Sequence, residues 1–217
     1  MILPRISNVK EGALRLLFPR RCPLCDGLLS PKEELVCTGC AGIAAPEPDY
    51  FPGGFAPFVY EDEYRDSVLR FKYKGRAEYA PFYAKAIADA GGDLIRSWGP
   101  QVIIPVPIHR RRLMERGYNQ AAELAKALSA TLKIPDREDV VVRTRDTRPQ
   151  NRLDADDRRA NVKGAFRVRR ADLVPRRVLI VDDIYTTGST ISELARVLEA
   201  CGCEEVHAAC VCRAVLP

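Results

Sequence analysis

The densest chemistry in the chain lies in one uninterrupted run, Val178-Leu-Ile-Val-Asp182-Asp183-Ile-Tyr185-Thr186-Thr187-Gly188-Ser189-Thr190. Its apolar start reads as a buried strand, and Ile191, Leu194, Val197 and Leu198 after it recur at helical spacing. The strand therefore delivers two carboxylates and a hydroxyl-rich turn to one edge of a sheet, beside the start of a helix. Open α/β sheets bind ligands at that edge. Gly188 permits close backbone approach, the Thr and Ser hydroxyls donate hydrogen bonds, and the first N–H groups of the helix attract an anion. Two adjacent acids repel an anion unless they serve another group, such as paired sugar hydroxyls or a divalent metal. A ribose 5-phosphate meets both demands. The run is not a Walker loop, since no Gly-Lys-Ser/Thr follows, and it holds no G-x-G-x-x-G.

Cysteines form the second concentration of chemistry. Cys22 and Cys25 make one C-x-x-C pair, Cys37 and Cys40 another, with eleven residues between the pairs. Each pair sets two thiolates on one turn, and two facing turns complete a tetrahedral zinc site without an open position, so the expected metal is structural. Cys201, Cys203, Cys210 and Cys212 raise the question of a second metal. Their setting at a helix end and along an apolar strand suits buried thiols better, with Cys210 and Cys212 expected on one face.

Charge is a third signal. The 217 residues hold 34 Lys plus Arg against 29 Asp plus Glu, a formal net charge of +5. Between Arg143 and Arg170 stand ten basic residues against four Asp, with smaller basic clusters at 65–76 and 110–116. Such clusters suit phosphate-bearing partners, the plain alternative being a solvated charged face. A hydrophobic content of 47% fits a medium-sized globular domain with a small appendage and excludes disordered or collagen-like classes. Met1 to Leu17 lacks the core and cleavage site of a signal peptide, and no apolar run reaches the roughly 18 residues of a membrane span. A cytoplasmic location is expected, where cysteines bind metal or stay as thiols more often than they form structural disulfides.

The elements that must position these residues follow from periodicity. A short amphipathic helix at 6–18, ended by Pro19, is expected to dock onto the rest, within an N-terminal segment 1–20. The four-cysteine module spans 21–43, the Pro- and Gly-rich stretch 44–57 reads as a linker, and the main domain covers 58–217. Within it, strands are expected near 58–60, 102–107, 140–143, 165–168, 178–181 and 205–212, and helices near 64–73, 80–97, 119–132 and 189–201. The alternation predicts an α/β fold, a mainly parallel sheet with helices on both faces. The runs VIIPV and VLIV are apolar throughout, as strands covered on both sides should be.

VLIVDDIYTTGST resembles the phosphoribosyl-pyrophosphate motif of type I phosphoribosyltransferases. Over nearly all of residues 10–213 the chain resembles the ComF family, including the GntX proteins, in which a four-cysteine zinc module precedes such a domain. The resemblance is carried by CPLC and CTGC, by FKYKGR at 71–76, by PVPIHRRRLMERGYNQAAELA at 105–125, and by Arg159-Ala-Asn161-Val-Lys-Gly164-Ala-Phe166.

The resemblance implies a role for each motif. Asp182 and Asp183 would contact the ribose hydroxyls, and Tyr185, Thr186, Thr187, Gly188, Ser189 and Thr190 would enclose the 5-phosphate. Arg110, Arg111, Arg112 and Arg116, in the loop 108–118, would face the diphosphate. An arm over 143–163 would close the site against water. Magnesium would accompany phosphoribosyl pyrophosphate, and the phosphoribosyl group would pass to an acceptor that the sequence does not name. The rival implication is a non-enzymatic protein of DNA uptake in natural transformation, binding a nucleotide or single-stranded DNA and working with other DNA-uptake proteins. Aromatic residues are few and scattered, so no stacking platform for bases is evident.

Overall fold

The computed structural model describes residues 19–147 and 160–215. The helix expected at 6–18 and the middle of the expected arm lie outside them. After the cysteine module, which ends in a 3-10 turn at Thr38–Ile43, come β1 (Asp49–Phe51), β2 (Gly54–Ala56) and β3 (Phe58–Val59). There follow α1 (Asp62–Tyr73), α2 (Ala80–Trp98), β4 (Val102–Pro105), α3 (Arg110–Arg116) and α4 (Gln120–Leu132). The chain continues through β5 (Val141–Arg143), β6 (Phe166–Val168), β7 (Arg177–Tyr185), α5 (Ser189–Glu199) and β8 (Glu205–Arg213).

The main sheet runs β1-β2-β8-β7-β4, with β3 also pairing β8. All its pairings are parallel except the β1–β2 hairpin at the edge. Period-2 alternation divides the apolar residues of β7 between two cores. Leu179 and Val181 join Ile103 beneath α1, α2 and α4, through Val68, Phe71, Tyr83, Ile87, Leu124 and Leu128. Val178 and Ile180 join Ile104 against Leu194 and Leu198 of α5 and Val141 and Phe166 of the β5–β6 pair. Both faces are covered, which is why VLIV carries no polar residue. The fold is the expected α/β type, a mostly parallel sheet with helices on both faces. Among the described residues, no helix is long and apolar enough to cross a membrane.

Three expectations need correction. The stretch 44–57 is no free linker: it supplies β1 and β2, and β2 pairs with β8 through Gly54↔Ala208 and Phe55↔Ala209. Its Pro and Gly residues mark the turns between very short strands rather than loose chain. Strands β5 and β6 stay out of the main sheet and form their own antiparallel pair. The arginine-rich segment expected as a loop contains helix α3, ended by Gly117 at φ 82.

Close approach also shapes α2. Gly91 departs from helical geometry at φ −145, and a Cβ there would lie 2.1 Å from the Phe55 ring. The missing side chain lets the helix settle onto β2.

Candidate functional site

Strand β7 is flanked by β4 and β8, so its carboxyl end opens inside the sheet rather than along its outer edge. Adjacent residues point to opposite faces there. Asp183 meets Lys72 of α1, with Nζ 3.0 Å from Oδ1. Asp182 turns the other way, toward the charge of Arg143, and its Oδ1 accepts the Asp183 N–H at 2.9 Å. Burial, then the charge of Asp183, raises the Asp182 pKa to about 7 despite Lys72, the Asp183 N–H and Arg143. For Lys72, burial opposes the ammonium, but the charges of Asp183 and Asp182 outweigh it and push the pKa up.

Beyond Tyr185 the chain bends through Thr186 and Thr187 to Gly188, which adopts φ 74 and begins α5 without any side-chain cap. Gly188 brings no side chain of its own to the N-cap position, and the positive start of a helix is the kind of place that attracts an oxyanion. Thr187 Oγ1 and Ser189 Oγ share a hydrogen bond of 2.7 Å at the same point, and Thr190 follows in the first turn. The Tyr185 ring stacks on Phe51, with centroids 3.7 Å apart and planes 10° apart, and its hydroxyl lies under Gly188. Tyr185 therefore forms the floor of the turn, while Thr186 to Thr190 form its rim.

The four arginines of α3 diverge. Arg110 is exposed. Arg111 pairs with Glu115 at 3.0 Å and Asp146 at 3.4 Å. Arg112 donates to the Thr147 carbonyl at 2.6 Å. Arg116 turns back to α1, bonding the Tyr73 hydroxyl at 3.2 Å and Gln120 Oε1 at 3.0 Å, with its guanidinium over the Tyr73 ring.

Two cations at the acid pair were not singled out from sequence. Lys72 stands within FKYKGR, and its charge pattern alone gave no reason to place it on a residue so distant in the chain. Arg143 opens the basic stretch, where many arginines look alike. Its guanidinium lies over the Phe166 ring at 5.3 Å and bonds the Thr147 hydroxyl, while its buried Nε has no partner among the described residues. Burial and the charge of Arg112 lower its pKa to about 10.

Ahead of the main domain, the structure brings Cys22, Cys25, Cys37 and Cys40 together, all four Sγ atoms within 4.8 Å of one another. Cys25 and Cys37 stand 3.7 Å apart. Zinc–sulfur bonds of about 2.3 Å in a tetrahedron require sulfur separations of about 3.8 Å, so the donor set fits zinc. Burial disfavours the Cys22 thiolate, but backbone N–H groups of Cys37, Cys25 and Leu24 more than offset it and lower the pKa to about 7. Cys40 moves up, through burial and then the thiols of Cys37 and Cys25.

The module is bolted to the larger domain. Asp26, at the knuckle after Cys25, takes two bonds from Arg76 at 2.9 and 3.0 Å and one from the Tyr79 hydroxyl at 2.6 Å. Arg70 of α1 donates to the carbonyls of Pro23 and Leu24 at 3.0 and 2.6 Å. The other four cysteines form no such cluster. Cys203 Sγ donates to the carbonyls of Arg176 and Glu205, and Cys210 and Cys212 are buried in separate cores rather than on the one face expected.

A family model described as the phosphoribosyl transferase domain matches residues 85–215. Competence protein F of Haemophilus influenzae is 32% identical over 218 residues, which cover 88% of this chain and 95% of that protein. DNA utilization protein YhgH of Escherichia coli K12 is 32% identical over 203 residues, covering 88% and 83%. Competence protein ComFC of Streptococcus pneumoniae is 24% identical over 151 residues, covering 70% and 64%. With a four-cysteine cluster ahead of a phosphoribosyl transferase domain and this extent of likeness, the chain belongs to the ComF family of competence proteins.

Proposed function

We propose that the carboxyl edge of β7 binds phosphoribosyl pyrophosphate together with magnesium. The observation that carries this reading is the pairing of two adjacent acids, Asp183 buried and Asp182 half-buried, with the Gly188-led start of α5 a few residues later. One feature accepts hydrogen bonds from neutral hydroxyls and the other donates to an oxyanion, as a ribose phosphate demands. Asp182 and Asp183 accept from the ribose hydroxyls. Thr186, Thr187, Gly188, Ser189 and Thr190 take the 5-phosphate above the Tyr185 floor. Arg110, Arg111, Arg112 and Arg116 of α3 supply positive potential on the diphosphate side.

Bound together with the substrate, magnesium would supply positive charge on the diphosphate side. This chain's own contribution is orientation and electrostatic complementarity. The reaction supported is transfer of the phosphoribosyl group to an acceptor, with Asp182 and Asp183 as the residues nearest the sugar. Zinc in the four-cysteine module is structural in this reading, because four thiolates leave no open coordination position.

A second reading has support of its own. Arg110 and Arg111 are exposed, Tyr73 is 59% exposed beneath Arg116, and the relatives bear names of competence and DNA utilization. A role in DNA uptake, with single-stranded DNA tracking these arginines, follows from those features.

Calorimetric titration of the zinc-loaded protein with magnesium and phosphoribosyl pyrophosphate tests the first reading. Binding is expected, and it should vanish in the Asp182→Asn/Asp183→Asn double variant. Equal affinity in both proteins overturns the assigned site. A salt-dependent affinity for single strands without phosphoribosyl pyrophosphate binding supports the second reading instead.

A further inference from the structure

The Lys72–Asp183 pair is almost closed to solvent, with side-chain exposures of 18% and 10%. Burying an ion pair costs desolvation that the attraction only roughly repays, so stability alone is a poor reason for one here. Its location is the informative part. Lys72 occupies the last turn of α1, and that turn is held from two directions. The Tyr118 hydroxyl donates to the Phe71 carbonyl, and Gln120 Nε2 donates to the Lys72 carbonyl at 3.1 Å. Arg70 anchors the same helix in the carbonyls of the cysteine module. The Phe71 ring is fully buried between Tyr83 and Tyr118. The ammonium is thus delivered by a fixed backbone.

Several groups face the acid pair: Lys72 from α1, Arg143 from β5, Cys210 and Cys212 from β8, and Tyr60 just after β3. Burial pushes the pKa of both thiols up, so they stay uncharged. Burial likewise pushes Tyr60 up, leaving its phenol uncharged. Arg143 acts on Asp182 through space, while Lys72 makes the direct contact.

We propose that Lys72 is a positioning residue for the acid pair, its ammonium fixing Asp183 and supplying the charge that lets two adjacent carboxylates stand ionised as acceptors for ribose hydroxyls. The proposal deepens the ribose-phosphate reading and rests on it. Like charges in a closed site cannot both ionise without a counter-charge. Burial and the charge of Asp183 raise Asp182 even with Lys72 in place, so loss of the lysine shifts the pair further toward its protonated form and weakens it as an acceptor.

The test has two arms, both on the full zinc-loaded chain. Carbon-13 NMR follows carboxyl titration in aspartate-labelled wild type, Lys72→Met and Lys72→Arg, with Asp182→Asn and Asp183→Asn for assignment. In Lys72→Met the upper titration of the pair should rise by about one pH unit or more, and Lys72→Arg should restore it. An unchanged titration overturns the proposal. In calorimetry with magnesium and phosphoribosyl pyrophosphate, Lys72→Met should bind about fivefold or more weaker at pH 7 and recover toward pH 9. Wild-type affinity at pH 7 overturns the proposal. If wild type itself fails to bind, the ribose-phosphate reading falls, and the NMR arm still decides whether Lys72 keeps the pair ionised. Should Lys72→Met not fold, Lys72→Gln takes its place in both arms.

Discussion

The four-cysteine cluster and the acid pair are both concentrations of groups that repel one another when ionised, and the protein handles them differently. The groups acting on the Cys22 and Cys40 thiols are burial, backbone N–H groups and one another, with no lysine or arginine prominent among them. The acid pair has Lys72 at 3.0 Å and Arg143 opposite. Four thiols gathered without a side-chain counter-charge cannot all stand as thiolates until a cation arrives from outside. Carboxylates that carry their own cation are free to accept hydrogen bonds from a neutral partner. On the proposed reading, the contrast separates a cluster that suits a metal ion from one that would suit sugar hydroxyls.

The sharpest way to break the comparison is to withdraw the external cation. Chelation of zinc, or Cys37→Ser, should unfold residues 21–43 while the sheet and its helices persist, because structural zinc supplies on the order of 10 kcal/mol to such a module. Limited proteolysis reads this directly. Unchanged resistance of the module after chelation removes the zinc assignment.

Next in size is an asymmetry within the acid pair. Asp183→Asn leaves Lys72 buried and unpaired and should cost about 3 to 5 kcal/mol in denaturant unfolding at pH 7. Asp182→Asn should cost far less. The raised pKa means the stabilising contribution of Asp182 is fully present below its ordinary value of 3.8 and is lost as pH rises through about 7. Asn does not ionise, so the variant should gain on wild type as pH climbs through that window. Equal losses for the two variants at pH 7 contradict the distinction drawn between them.

A smaller effect is expected at Gly188. Alanine there meets φ 74 and the Tyr185 hydroxyl 2.5 Å from its Cβ, which should cost about 1 to 2 kcal/mol of stability and weaken phosphate binding. Retained affinity in Gly188→Ala means the turn does not hold the anion. The smallest effect concerns Arg111, which is 68% exposed. Arg111→Ala should leave the melting temperature unchanged, and any loss of ligand affinity then reports electrostatics alone.

How much of this was legible in the sequence follows from how local each feature is. Asp182, Asp183 and Thr186 to Thr190 form one contiguous strand, turn and helix, so order along the chain equals order in space. The cysteine pairs announce themselves by spacing. Lys72 reaches Asp183 only through packing of α1 onto the sheet, and nothing near position 72 marks that partner. Strands β1 and β2 escaped because three residues each, bounded by Pro and Gly, carry too little alternation to be told from a linker. Helix α3 escaped because its arginines leave no apolar stripe, and it contributes no buried residue.

The strand order carries a consequence for how the chain must assemble. β8, the latest strand in sequence, sits in the interior, between β7 and the early strands β2 and β3. A ribosome releases β1, β2 and β3 first, yet they have no place in the sheet until β8 emerges. The nascent chain therefore holds two unfinished halves, an early hairpin and a growing β4–β7 pair, each with an open strand edge. Closing the long loop between them is an intrinsically slow step. Such a chain is most exposed to mispairing in the interval just before its last strand appears.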